Sequence, residues 1–246
     1  SSSVTKDDIP KEYRENPKIN SFLLQNTPKD REKREKLIEK FRERLFSALT
    51  EGSLKETMEI YTAFVANNPL DQFYERIMTP VMSDIGYLWS EGKLSIATEH
   101  VASNIAHSLV KVIGDENRKS KRDKGKIVLT TPVGEDHNLG CNVLDSFLIL
   151  KGFTTFNLSP STPAESLNEF IKTAKPDAVI VSITLEENIK SGQRMVKKVH
   201  DANKKLPIFI GGLAFSDKTN VKFEGKLITG TNALEQIPRI IRKKWV

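Results

Sequence analysis

One cysteine, Cys141, stands in 246 residues, so no intrachain disulfide can form. Cysteine-rich zinc clusters are excluded with it. Such sparing use of cysteine fits a reducing compartment, and the cytoplasm is the expected location. No run approaches the ~18 consecutive apolar residues of a membrane-spanning helix, and no leader pattern opens the chain. The phosphate-cradling run G-x-x-x-x-G-K-[ST], the dinucleotide fingerprint G-x-G-x-x-G and the nucleophile elbow G-x-S-x-G are all missing. These absences argue against P-loop, nicotinamide and serine-hydrolase chemistry. Charge of one sign is in mild excess: the formal net charge is +6 and the pI about 9.2. That balance permits contact with a polyanion without requiring one. The first residue is serine rather than methionine, which leaves room for an upstream domain.

What is present falls into two halves. Residues 1 to 26 are polar, carry Pro10 and Pro17 and hold no lasting period, which reads as an arm or linker. Residues 27–113 read as a helical bundle. Thr27 and Pro28 make a helix start, and Leu37, Phe41, Leu45 and Leu49 recur every four residues, widened by Ile38 and Phe46. "SLKE" is a capping box, Ser53 facing Glu56, ahead of Leu54, Met58, Tyr61 and Val65. A shorter helix is expected from Leu70 to Met78, and Thr79–Pro80 start another that stops near Gly92. Ser95 caps the last, to about Ile113. Short connections imply antiparallel packing. The charged run over 114–125, "GDENRKSKRDKG", reads as a solvated linker rather than a phosphate site.

From residue 126 to 246 the period changes. "KIVLTT", "FTTFNL", "DAVIVSI", "PIFIGG" and "KLITG" are short, β-branched and mostly continuous, as buried parallel strands are. Amphipathic helices are expected at about Asn142–Lys151, Ala164–Ala174, Glu186–Lys204 and Ala233–Lys244. The fold class is therefore α/β: a helical bundle followed by a flavodoxin- or Rossmann-like, doubly wound, five-stranded parallel sheet. Ligands of such sheets bind at the carboxyl ends of the strands, near the point where strand order reverses. Three loops lie there. One carries Val133, Gly134, Glu135, Asp136, His137, Leu139 and Gly140, another Ser182, Thr184 and Leu185, and the third Gly211 and Gly212. A loop histidine can bind a metal through one ring nitrogen while a carboxylate fixes the other, and Glu135 is placed to do so. The glycines leave space for a large, partly buried ligand.

"EDHNLG", "SIT" and "GG", in that order, resemble the D-x-H-x-x-G, S-x-L and GG signature of cobalamin-binding domains. In the bundle, "WSEGKLSIATEH" is similar to the W-x9-EH element of adenosylcobalamin-dependent photoreceptors, which are MerR-type transcriptional regulators. The resemblance covers Thr27 to the end and implies a role for each matching residue. His137 would be the lower axial ligand of cobalt, in place of the cofactor's own base, with Glu135 behind it. Ser182, Thr184, Gly211 and Gly212 would line the channel for the displaced nucleotide tail. Trp89, Glu99 and His100 would cover the upper face beside the adenosyl group. Adenosylcobalamin is the implied cofactor, with methyl- or hydroxocobalamin as variants.

Three positions depart from the pattern: Glu135 replaces aspartate, Thr184 replaces leucine, and Ser90 stands where the best-known photoreceptors have a histidine. That last change rules out a light-state bond to cobalt from position 90; His100 and His107 are the substitutes within the bundle. The implied function is a cobalamin-binding sensor for light or cofactor, not an enzyme, with a homo-oligomeric state that follows the cofactor. DNA would be reached only through a further domain or partner, since residues 1 to 26 show no helix-turn-helix pattern. The competing reading is a corrinoid methyl carrier serving methyltransferases. A response-regulator receiver is disfavoured, because the third strand ends in "SIT" rather than an aspartate.

Overall fold

The computed structural model describes residues 28–117, 124–215, 221–228 and Ile237. The arm, the centre of the charged run and, apart from Ile237, the expected helix from Ala233 to Lys244 lie outside them. Five α-helical segments come first: α1 (Pro28–Thr50), α2 (Leu54–Val65), α3 (Leu70–Phe73), α4 (Thr79–Ser90) and α5 (Ile96–Asn117). Ser53 Oγ accepts the Glu56 N–H at 3.2 Å, as the capping sequence implied. On α1 the expected Ile38, Leu45 and Leu49 are buried, and on α2 the buried stripe differs by one position from the expected one. Ile38 is buried while Leu37 is half-exposed, and α2 turns Thr57, Ile60 and Phe64 inward rather than Leu54, Met58, Tyr61 and Val65. Two apolar stripes adjoin on each helix, and packing against α5 and α1 chooses between them.

Pro80 does not start a new helix. Residues 70–90 run unbroken, with a π-helical turn over Tyr74–Met78 between α3 and α4. Proline has no N–H to give the carbonyl four residues back. The chain widens instead, so that the Thr79 N–H reaches Tyr74 O. Arg42 of α1 then donates its Nε–H to the carbonyl of Arg76 at 2.7 Å. A side chain from a neighbouring helix thus supplies the donor that Pro80 lacks.

The second half is β1 (Lys126–Thr130), α6 (Leu139–Leu150), β2 (Thr154–Asn157), α7 (Ala164–Ala174), β3 (Ala178–Ser182), α8 (Ile189–Ala202), β4 (Ile208–Gly211) and β5 (Lys226–Leu227). The strands are parallel, in the order β2-β1-β3-β4-β5. Alternation along each strand splits the core. Val128, Val179, Val181 and Ile210 face α7 and α8, while Ile127, Leu129, Ile180 and Phe209 face the α6 side.

Helix α6 has two apolar sides. Cys141 and Leu148 pack on the sheet, and Val143 and Phe147 belong to the core of the bundle. Gly114 of α5 lies against Ser146, a Cβ added there standing 3.5 Å from Ser146 Cβ, and α5 continues through Asn117 into the segment read as linker. Helix α6 also starts three residues earlier than expected, so Leu139 and Gly140 form its first turn. The order of strands reverses between β1 and β3, and the loops after these two strands open side by side.

Candidate functional site

Glu135 is fully buried at this edge, and its carboxylate is saturated with donors. One oxygen accepts from His137 Nδ1 at 2.8 Å and from the His137 backbone N–H at 3.1 Å. The other accepts from the N–H groups of Thr184 (2.9 Å) and Leu185 (3.0 Å) and from Asn188 Nδ2 (3.0 Å). Burial pushes the Glu135 pKa up, but the hydrogen bonds from His137, Leu185, Asn188 and Thr184 outweigh it and hold the carboxyl at about 2. The loop after β1 is thereby tied to the loop after β3 through one anion. Further ties fix its backbone: Thr131 Oγ1 donates to Glu135 O at 2.8 Å, and the Ser161 N–H donates to Thr131 Oγ1 at 2.8 Å. The Gly134 N–H reaches Ser161 Oγ, and Ser191 Oγ donates to Val133 O.

The His137 side chain is 55% exposed. Its Nδ1–H is committed to Glu135, so the Nε2 edge is the one offered outward. The hydrogen bond to Glu135 raises its pKa, partial burial opposes this, and the charges of Glu135, Glu99 and Asp136 add to the rise. A fixed tautomer and an electron-rich imidazole are what a metal ligand requires. Among the described residues no group of three or more His, Cys, Asp or Glu side chains could cage a metal. A metal at His137 would thus have one protein ligand among the described residues.

The surroundings fit a large ligand with apolar faces. Val133, Leu185 and Leu213 are among the few large apolar side chains left exposed, and they follow the ends of β1, β3 and β4. Asp136 is exposed beside them, whereas Leu139 is turned into the core shared with the bundle. A Cβ at Gly140 would stand 3.1 Å from Ser182 Oγ, so the first turn of α6 lies close against the end of β3. Gly211 and Gly212 have a second reason to be glycine. At Gly212 φ is +118° and a Cβ would fall 2.1 Å from Ile183 O; at Gly211 it would lie 3.2 Å from Ile228 O.

The bundle's candidate residues lie at the end of α4 and the start of α5. Ser95 Oγ accepts the Thr98 N–H at 3.1 Å and caps the helix. Glu99 accepts from Ser103 Oγ and pairs with His100 Nδ1, both at 2.7 Å. Its charge adds to the rise in the His137 pKa. Trp89, at the end of α4, is 46% exposed. The partners of Glu99 are His100 and Ser103 rather than the indole. Sequence reasoning missed Asn188, Thr131, Ser161 and Leu213. Asn188 and Ser161 act on groups brought near only by the fold, Thr131 holds its own loop, and Leu213 was legible as an apolar residue directly after the Gly-Gly pair.

Two B12 binding domain models match the chain, one over residues 125–237 and the other over residues 41–113. The HTH-type transcriptional repressor CarH of Myxococcus xanthus is 23% identical over 179 residues, covering 72% of this chain and 58% of its own length. The trimethylamine corrinoid protein of Methanosarcina barkeri is 22% identical over 174 residues, covering 69% of this chain and 80% of its own. The chain thus spans little more than half the length of the repressor it matches. Among solved structures, the monomethylamine corrinoid protein of Methanosarcina barkeri superposes with a TM-score of 0.68 at 17% identity, covering 83% of this chain and 99% of that one. The arrangement of bundle and sheet is shared with it. No helix among the described residues is long and apolar enough to cross a membrane.

Proposed function

The chain belongs to the B12-binding domain family, it binds cobalamin, and from that premise we propose that it is a sensory module that holds adenosylcobalamin between bundle and sheet. His137 is the lower ligand of cobalt in this reading, and Glu135 fixes its tautomer. Ser182, Thr184, Gly211 and Gly212 flank the nucleotide tail. Trp89, Glu99 and His100 meet the upper face. When bound, the cofactor supplies a cobalt–carbon bond that light can break. The protein's part is to prefer one arrangement of the bundle while the adenosyl group is present and another once it is gone. A ligand moves such an equilibrium only by its differential affinity for the two arrangements.

The observation that carries this reading is the Glu99–His100–Ser103 group at the start of α5, polar enough to hold an adenosyl group and with a Glu99 charge that acts on His137. A methyl carrier gains nothing from a polar cap it must lift for its partner enzymes. That second reading draws support from the trimethylamine corrinoid protein, of whose length 80% is matched, and from Ser90, which cannot ligate cobalt after photolysis.

Visible spectra with adenosylcobalamin, in the dark and after green light, test both, together with size-exclusion chromatography. A His-ligated spectrum lost in His137→Ala, with a light-dependent change in size, is expected. A His-ligated spectrum with no change in size would favour the methyl carrier, and no uptake at all would overturn the site.

A further inference from the structure

One histidine of the bundle, named above only as a substitute for the residue at position 90, has no part in the proposed site. His107 lies on α5, two turns beyond His100, where α5 packs along α6. It sits at one end of a chain of hydrogen bonds whose directions can be worked out from a single fixed donor. The backbone N–H of Ser159 can only donate, and it meets Asn157 Oδ1 at 3.1 Å, with Ser159 Oγ on the same oxygen at 2.6 Å. Asn157 must therefore present its amide nitrogen to Asn142, and Nδ2 donates to Asn142 Oδ1 at 2.8 Å. Asn142 in turn presents its own Nδ2 to His107 Nδ1 at 2.9 Å. The ring nitrogen facing it has to accept. His107 is thus neutral, with its proton on Nε2, and the constraint originates at a backbone amide across the interface.

We propose that the His107–Asn142 contact is a proton-gated latch between bundle and sheet domain, closed when His107 is neutral and released when it is protonated. A proton on Nδ1 would face the amide hydrogens of Asn142. Turning the Asn142 amide over would set its NH2 against that of Asn157, and turning Asn157 as well would set an NH2 against the Ser159 N–H, which cannot reverse. Every rearrangement inside the chain ends in two donors face to face, so the strain is relieved by parting α5 from α6.

The surroundings agree. Burial lowers the His107 pKa, and it is the one resolved cause. The charged side chains closest along the two helices are Lys111, one turn further on α5, and Asp145, one turn further on α6 and taken up by Thr155 Oγ1. The segment from β2 onward contributes the neutral Asn157 and Ser159. For a basic group whose folded pKa is lowered, the contribution is complete above the ordinary value of 6.5. It is lost as pH falls from there to the folded value, where the open state binds the extra proton. Over that window the opening equilibrium rises by up to about tenfold per pH unit.

The test needs no cofactor and is independent of the proposed function. Nitrogen NMR of the full chain at pH 7.5 should give His107 as the Nε2–H tautomer. Hydrogen exchange of the α5 and α6 amides, corrected for intrinsic rates, should quicken below pH 6.5 in the wild type. His107→Gln, whose carbonyl accepts from Asn142 at any pH, should flatten that response. Asn142→Asp, which accepts from protonated His107, should reverse it. An Nδ1–H tautomer, a His107→Gln profile like the wild type, or an Asn142→Asp profile of unchanged sign would each overturn the latch.

Discussion

The Glu135 carboxylate reaches from a fully buried position to Nδ1 of His137 at 2.8 Å, while its second oxygen gathers three donors from the loop after β3. Replacing it separates two effects. Glu135→Ala strands the backbone N–H groups of His137, Thr184 and Leu185 and the amide of Asn188, each worth about 1–3 kcal/mol when left without an acceptor. Urea unfolding should show a loss of several kcal/mol. Glu135→Gln can keep some of those acceptors but weakens the hold on His137, so cobalamin affinity should fall roughly 10–100-fold in a spectral titration.

The same pair predicts opposite pH responses of its members. The Glu135 pKa lies below its ordinary 4.5, so its contribution is whole above 4.5 and fades as pH falls towards about 2. The His137 pKa is raised above 6.5, so its contribution is whole below 6.5 and fades as pH rises through the folded value. In cofactor-free protein, NMR should find the His137 midpoint above 6.5, moving down in Glu135→Gln. A midpoint unchanged by that substitution would mean the hydrogen bond does not set the charge of the ring.

Asn188 joins the two loops from the other side, donating to Glu135 and to Gly134 O at 3.2 Å. Asn188→Leu fills the same volume without a donor, and a cost of about 1–3 kcal/mol is expected by urea unfolding. Asn188→Asp sets a carboxylate against Glu135 and should cost more at pH 7, with the difference shrinking in acid.

Two glycines of the site should answer differently to alanine. Gly212→Ala meets a backbone carbonyl at 2.1 Å with φ at +118°, and a loss of at least about 2 kcal/mol is expected. Gly140→Ala meets only the Ser182 hydroxyl at 3.1 Å, an atom able to turn aside. Thermal melts should separate the pair by several degrees.

Arg42 and Pro80 should behave as a coupled pair. Arg42→Met leaves the Arg76 carbonyl without its donor and should cost about 1 kcal/mol. Pro80→Ala restores a backbone N–H one turn on and makes Arg42 dispensable. A double-mutant cycle should return a coupling of about 1 kcal/mol, where independent sites would give none.

The sheet was legible because buried parallel strands leave short continuous runs of β-branched residues, as "DAVIVSI" does between Pro176 and Thr184. The pairing of Glu135 with His137 was legible because two residues on one loop are close whatever the fold. Asn188 was hidden by distance along the chain, since it meets Glu135 only once β1 and β3 lie side by side. The unbroken run through Pro80 was hidden for a related reason. A proline after a threonine reads as a helix start, and the π-helical turn together with a guanidinium from α1 carries the helix past it. On α2 the period was right and the phase was not, because a helix with two adjoining apolar stripes does not say which one its neighbours will cover.

Helix α6 has one side in each core, and it begins two residues after His137. It is a common wall rather than a partition. Close-packed side chains do not absorb displacement as a soft layer would, so a shift of the His137 loop by a fraction of an ångström must be passed whole into the bundle or not occur at all. The cut that would separate the halves exposes Val143 and Phe147, and the bundle without α6 is a body with an open seam.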